Sequence, residues 1–179
     1  MRGVRVKLAI GVALIGVVVT AAAAVAGDHA RLKTTLTGYE ETPAAISTTG
    51  NGTFRATIAR GGDAIEYELS YDDLEGGNVL QAHIHFGQVA VTGGISAFLC
   101  SNLGNGPAGT QPCPPPPARI TGTITADQIV GPAAQGIGAR ELDELIRALR
   151  AGVAYANVHT ATWPAGEIRG QIDGEDRGH

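Results

Sequence analysis

The chain has 179 residues, of which 44% are apolar and 17% charged, with 13 Lys and Arg against 17 Asp and Glu. The resulting net charge of −4, histidines neutral, argues against nucleic acid or an anionic membrane surface as the main partner. It does not choose among the remaining classes.

In chain order, the first feature is a leader. Arg2, Arg5 and Lys7 precede an uncharged run from Leu8 to Ala26 that closes with Ala24-Val25-Ala26. A charged start, an apolar stretch and an A-x-A end form an export signal, with cleavage expected before Gly27. Retention of the run as a membrane anchor is the alternative. Residues 1–26 are thus expected to be a signal peptide. Residues 27–179 then form one domain of 153 residues with its core at about 31–173. The leader takes three of the basic residues and none of the acidic ones, leaving ten against 17. The mature protein is expected to be secreted, periplasmic or at the cell surface, with no membrane span after cleavage.

From Arg31 the chain reads as short strands punctuated by glycine. Leu32, Thr34 and Leu36 alternate with Lys33, Thr35 and Thr37, and Gly38 ends the run. Tyr39 to Gly52 reads as a long loop with a Gly50-Asn51-Gly52 turn. Thr53–Ala59 is a second strand. Ile65, Tyr67, Leu69 and Tyr71 then alternate with Glu66, Glu68 and Ser70, the signature of a half-buried strand. Val79–Phe86, Ile95–Cys100 and Arg119–Thr125 follow, the last after four prolines, Pro114 to Pro117, that cannot supply ladder donors.

One helix interrupts the strands. Leu142, Leu145, Ile146 and Leu149 fall at i, i+3, i+4 and i+7, with acidic residues early, Arg147 and Arg150 late, and Gly152 placed as a cap. Val153–Thr160 and Glu167–Ile172 close the fold, and the acidic tail from Asp173 reads as frayed. The expected class is all-β and mainly antiparallel, a sandwich of the immunoglobulin or superoxide dismutase kind with about eight short strands and one amphipathic helix.

Two cysteines, Cys100 and Cys113, bracket a segment rich in glycine and proline. In an exported chain such a pair is most simply a disulfide, and its spacing is not the Cys-x-x-Cys of redox or metal motifs. Closing that loop is worth about 3 kcal/mol.

The chemistry-bearing residues come from the last strands. His83 and His85 fall on one face of Val79–Phe86, with Ala82, Ile84 and Phe86 on the other. Tyr155, Asn157 and His159 share a face, as do Glu167, Arg169 and Gln171. If these strands are neighbours, one face gathers His83, His85, His159, Asn157, Glu167 and Arg169. Three readings fit this cluster. His83, His85 and His159 can ligate zinc or copper, with Asn157 or Glu167 orienting a ring. The cluster can be a surface for an extracellular protein or carbohydrate. Or it can be a polar network whose members satisfy one another. Imidazole nitrogens that cannot converge within about 4 Å of one another would count against the first. A His-x-His strand in a sandwich also resembles copper–zinc superoxide dismutases, but no convincing fourth histidine is present, because His29 and His179 lie near the ends.

Taken together, the motifs resemble a CHRD domain, the module named after chordin and found in many exported bacterial proteins. They are Leu36-Thr37-Gly38, Glu41-Thr42-Pro43, Ala82-His83-Ile84-His85-Phe86-Gly87, Gly122-Thr123-Ile124-Thr125, Tyr155-Ala156-Asn157-Val158-His159-Thr160 and Pro164 to Ile172. The resemblance implies a β-rich extracellular module and no settled activity. The segment Cys100–Pro117 departs from that pattern. We therefore expect an exported binding module rather than an enzyme, with a His-lined zinc or copper site; the alternative is a metal-dependent redox enzyme of the superoxide dismutase type.

Overall fold

The computed structural model describes Gly3 and residues 31–174; the rest of the expected leader, residues 27–30 with His29, and the last five residues with His179 lie outside them. Nine strands and one helix follow in order: β1 (Arg31–Thr37), β2 (Asn51–Ile58), β3 (Ile65–Asp72), β4 (Val79–Phe86), β5 (Gly94–Ser101), β6 (Ala118–Ile124), α1 (Leu142–Ala151), β7 (Ala154–Thr160), β8 (Ile168–Gln171) and β9 (Asp173–Gly174). The strands pair antiparallel in the order β5-β4-β7-β8-β1-β2-β3-β6, with β9 also on β1.

The sheet is continuous but nearly breaks between β8 and β1, where Thr37 opposite Arg169 is the one register pair. That point divides the sheet into two leaves of four strands. Their inner faces supply one apolar core: Ala82, Ile84, Leu99, Ala156, Val158 and Ile168 from one leaf, and Leu32, Leu36, Phe54, Leu69 and Ile120 from the other. This is the expected all-β sandwich. In β3 the alternation is the cause, since Ile65, Tyr67, Leu69 and Tyr71 are buried while Glu66 between them is exposed.

The strand β7 breaks that rule. All seven of its residues are buried. Ala154, Ala156 and Val158 enter the core, so the opposite side of β7 must be covered by something other than the second leaf.

Helix α1 contributes the expected stripe, Leu142, Leu145, Ile146 and Leu149, to the core. Gly152 ends it in the left-handed region at φ 68°, donating its N–H to Ala148 and Leu149 carbonyls. The expected frayed tail differs at its start: Asp173 and Gly174 pair with Lys33 and Leu32 as a short strand. A two-residue pairing has no periodicity for a pattern to reveal.

The proline-rich segment joins the sheet's two ends. Cys100 on β5 is disulfide-bonded to Cys113. Between them, Gln111 Nε2 donates to the Thr121 carbonyl of β6 (3.0 Å) and to Tyr67 Oη (2.9 Å), which itself donates to the Leu99 carbonyl of β5 (2.7 Å).

Candidate metal centre

The outer face of β4, β7 and β8 carries the polar side chains. Register places His83 opposite Asn157 and Asn157 opposite Arg169; in the next row His85 lies opposite Tyr155, and Tyr155 opposite Gln171. His159 lies opposite Gln81. The neighbourhood assumed from the sequence is therefore the one the topology has.

Loops cover this face. His83, His85, His159, Asn157 and Arg169 are 0%, 7%, 5%, 2% and 1% exposed. From the 38–50 loop, Glu41 Oε1 accepts from Asn157 Nδ2 (2.7 Å) and Thr42 Oγ1 accepts from Arg169 Nη1 (2.6 Å). From the loop after β4, the Gln88 and Val91 carbonyls accept from Arg169 Nη2. Thr42 and Thr92 hydroxyls, 2.9 Å apart, tie the two loops together above the face. Beneath them the Arg169 guanidinium lies 3.5 Å from the centroid of the Tyr155 ring, which stacks nearly parallel on His85 at 4.7 Å.

The hydrogen bonds fix the imidazoles. A carbonyl only accepts, so His85 Nδ1 donates to Gly93 O and His159 Nδ1 to Pro164 O, each at 3.0 Å. Both Nε2 atoms then carry lone pairs. His159 Nε2 lies 3.1 Å from His83 Nδ1, which is therefore the donor, and the lone pair of His83 passes to its own Nε2. Neither His83 Nε2 nor His85 Nε2 has a partner. Burial disfavours the imidazolium forms: it pushes His83 down to about 2, helped by the two neighbouring rings, and His85 and His159 to about 4 despite their carbonyl bonds.

One nitrogen from each ring lies within 4.8 Å of the others. The spread exceeds the roughly 4 Å set out from the sequence, and the shorter His83 Nδ1–His159 Nε2 approach of 3.1 Å is a hydrogen bond that an ion on His159 Nε2 would have to displace. Tetrahedral zinc at 2.0–2.1 Å from each nitrogen needs them about 3.3 Å apart, so the rings would have to draw in. The donor set is otherwise suitable, being three neutral imidazoles of which two are oriented by backbone carbonyls.

The remaining expected residues fall in two places. Asn157 and Arg169 belong to this face, but neither hydrogen-bonds a histidine. Glu167 is fully buried and serves a different junction. Its Oε1 accepts from Thr48 Oγ1 and the Glu75 N–H, both at 2.7 Å, and its Oε2 from Thr160 Oγ1 (2.8 Å) and the Gly76 N–H (3.1 Å). Glu41 was not among the expected site residues, although it stands in the quoted Glu41-Thr42-Pro43 motif. Burial pushes its carboxyl up to about 7, against the opposing pull of the Thr42 N–H, Asn157 and Arg169. A surface depression of about 690 Å³ lies elsewhere, over β1, β2, β3 and β6 beside Arg31, Arg55 and Glu66.

In comparison with known proteins, the CHRD domain family model matches residues 32–172, most of the chain and nearly all of the sandwich. No curated protein and no solved structure matches. The histidine strand, the Asn157-Val158-His159 strand and the Glu167–Ile172 closure all fall inside the match. On that coverage the chain belongs to the CHRD domain family.

Proposed function

We propose that this CHRD domain is an exported binding module whose own ligand is a metal ion, zinc or copper, held by His83, His85 and His159. One observation carries the reading: three buried neutral imidazoles bring one nitrogen each within 4.8 Å of the others, and two nitrogens, His83 Nε2 and His85 Nε2, have no hydrogen-bond partner. Buried polar atoms without partners are rare in native folds because each forfeits its hydration, and an ion between the rings would satisfy them. The disulfide and the leader pattern support export.

The same burial favours holding an ion over turning a substrate on it. A catalytic metal needs an open coordination position, and the Glu41 and Gln88–Thr92 loops cover the rings. The superoxide dismutase type of activity is accordingly the weaker proposal.

The test is elemental analysis of the chain produced by export and purified without an affinity tag of histidines, beside a His83→Ala/His85→Ala variant. Near-stoichiometric zinc or copper that disappears in the variant is the expected result. Absence of metal from the wild type after titration with both ions would overturn the proposal.

A further inference from the structure

The covered face holds another lone pair that nothing satisfies. Asn157 gives its Nδ2 to Glu41 Oε1, and its Oδ1 is buried without a partner. The amide is turned this way for a reason: its N–H end faces a carboxyl oxygen, so the acceptor end is the one left over. Three of the five unpartnered buried side-chain atoms among the described residues are therefore His83 Nε2, His85 Nε2 and Asn157 Oδ1, all on the outer face of β4 and β7.

Position makes this more than a coincidence of burial. Asn157 is the cross-strand partner of His83 and stands two residues before His159, on the same side of β7. Cross-strand partners hold their Cβ atoms about 4.5–5.5 Å apart, within side-chain reach. It thus flanks both rings of the 3.1 Å imidazole pair.

The backbone makes room for the amide. Gly166 has φ +140°, and a Cβ there would overlap Asn157 Nδ2 and lie 2.5 Å from Glu41 Oε1. Only glycine at 166 lets the Glu41–Asn157 pair sit where it does.

We propose that Asn157 Oδ1 is the fourth donor of the metal centre, which completes an N₃O set for a zinc-class divalent ion, and that Glu41 holds the amide in the donating orientation. This rests on the three-histidine reading above and gives it a geometry. Four protein donors around the ion make a closed, structural type of site. Three nitrogens and a hard amide oxygen, with no thiolate or thioether, favour a divalent ion over cuprous copper.

The experiment measures Zn(II) affinity by competition with a chromophoric chelator and records the visible spectrum after Co(II) loading. It compares wild type, Asn157→Leu, Asn157→Asp and His83→Ala. Wild type is expected to show the intense absorption of four-coordinate Co(II). Asn157→Leu should lose at least about tenfold in zinc affinity and move the Co(II) spectrum as water enters the coordination sphere. Asn157→Asp, which keeps an oxygen donor, should stay four-coordinate with shifted bands. Wild-type affinity and spectrum in Asn157→Leu would overturn the assignment of Asn157 and leave the histidine centre standing. Loss of folding in Asn157→Leu would pass the decision to Asn157→Asp, whose unchanged spectrum would overturn it. Absence of metal from the wild type would instead overturn the three-histidine reading beneath it.

Discussion

Replacing Glu167 by Gln should destabilise the domain by about 3 kcal/mol without altering any side-chain volume. The carboxylate is fully buried and accepts four hydrogen bonds, two on each oxygen. An amide offers one oxygen, and its NH₂ must face one side of that arrangement. On either side it meets one hydroxyl, Thr48 or Thr160, that can rotate to accept, and one backbone N–H, of Glu75 or Gly76, that cannot. The substitution therefore orphans one backbone donor, the buried Gly76 N–H or the part-buried Glu75 N–H, which costs about 1–3 kcal/mol, and weakens the surviving bonds by removing their charge assistance. Urea unfolding followed by circular dichroism, with the slope unchanged and the midpoint lowered, is the measurement. A loss under about 1 kcal/mol would refute the view that these four bonds are the carboxylate's role. The effect should also reach the histidine face, since Thr48 belongs to the same 38–50 loop that carries Glu41 and Thr42.

Two further predictions concern the domain's response to acid and to reduction. In chelator-treated protein, His83, His85 and His159 stay neutral when folded but take up protons when unfolded below about 6.5, so acidification removes stability; Glu41, held at about 7 against 4.5, acts in the opposite sense. Net uptake of two protons on unfolding gives a loss of about 2.7 kcal/mol per pH unit between roughly pH 6 and 5, and thermal melts whose midpoint holds or rises on acidification would contradict it. Replacing Cys100 and Cys113 by Ala should cost about 3 kcal/mol in denaturant unfolding and leave metal uptake intact, because the bridge lies at the β5 end of the sheet and not on the histidine face.

The parts of this fold that repeat were readable before any coordinates. Period-two alternation marked β1 and β3, the i, i+3, i+4, i+7 stripe marked α1, and the same period put His83 with His85 and Asn157 with His159. Strand order was not readable, because a pattern names the faces of a strand and says nothing of its neighbour. Nor was the burial of the histidine face, which depends on loops at 38–50 and 87–93 whose sequences have no period. The groups that fix the rings, the Gly93 and Pro164 carbonyls, are backbone atoms that every residue possesses, so no residue type announces them. Glu167 was misleading for a related reason. Its neighbours in sequence, Arg169 and Gln171, point to the histidine face, whereas its own partners are Thr48 and two loop amides more than 90 residues earlier, together with Thr160.

The segment between the cysteines has a consequence for how copies of this protein behave toward one another. A sheet that ended at β5 and β6 would present two rows of unpaired amides and carbonyls, each a template for a strand from another chain. Here Gln111 reaches the Thr121 carbonyl on one rim, its own carbonyl takes the Ser101 N–H on the other, and Ile129 bridges to Ala97. A stretch with too much proline and glycine to be a strand itself thus works as a hem, leaving the sheet little free selvage on which a fibril or a swapped dimer could start.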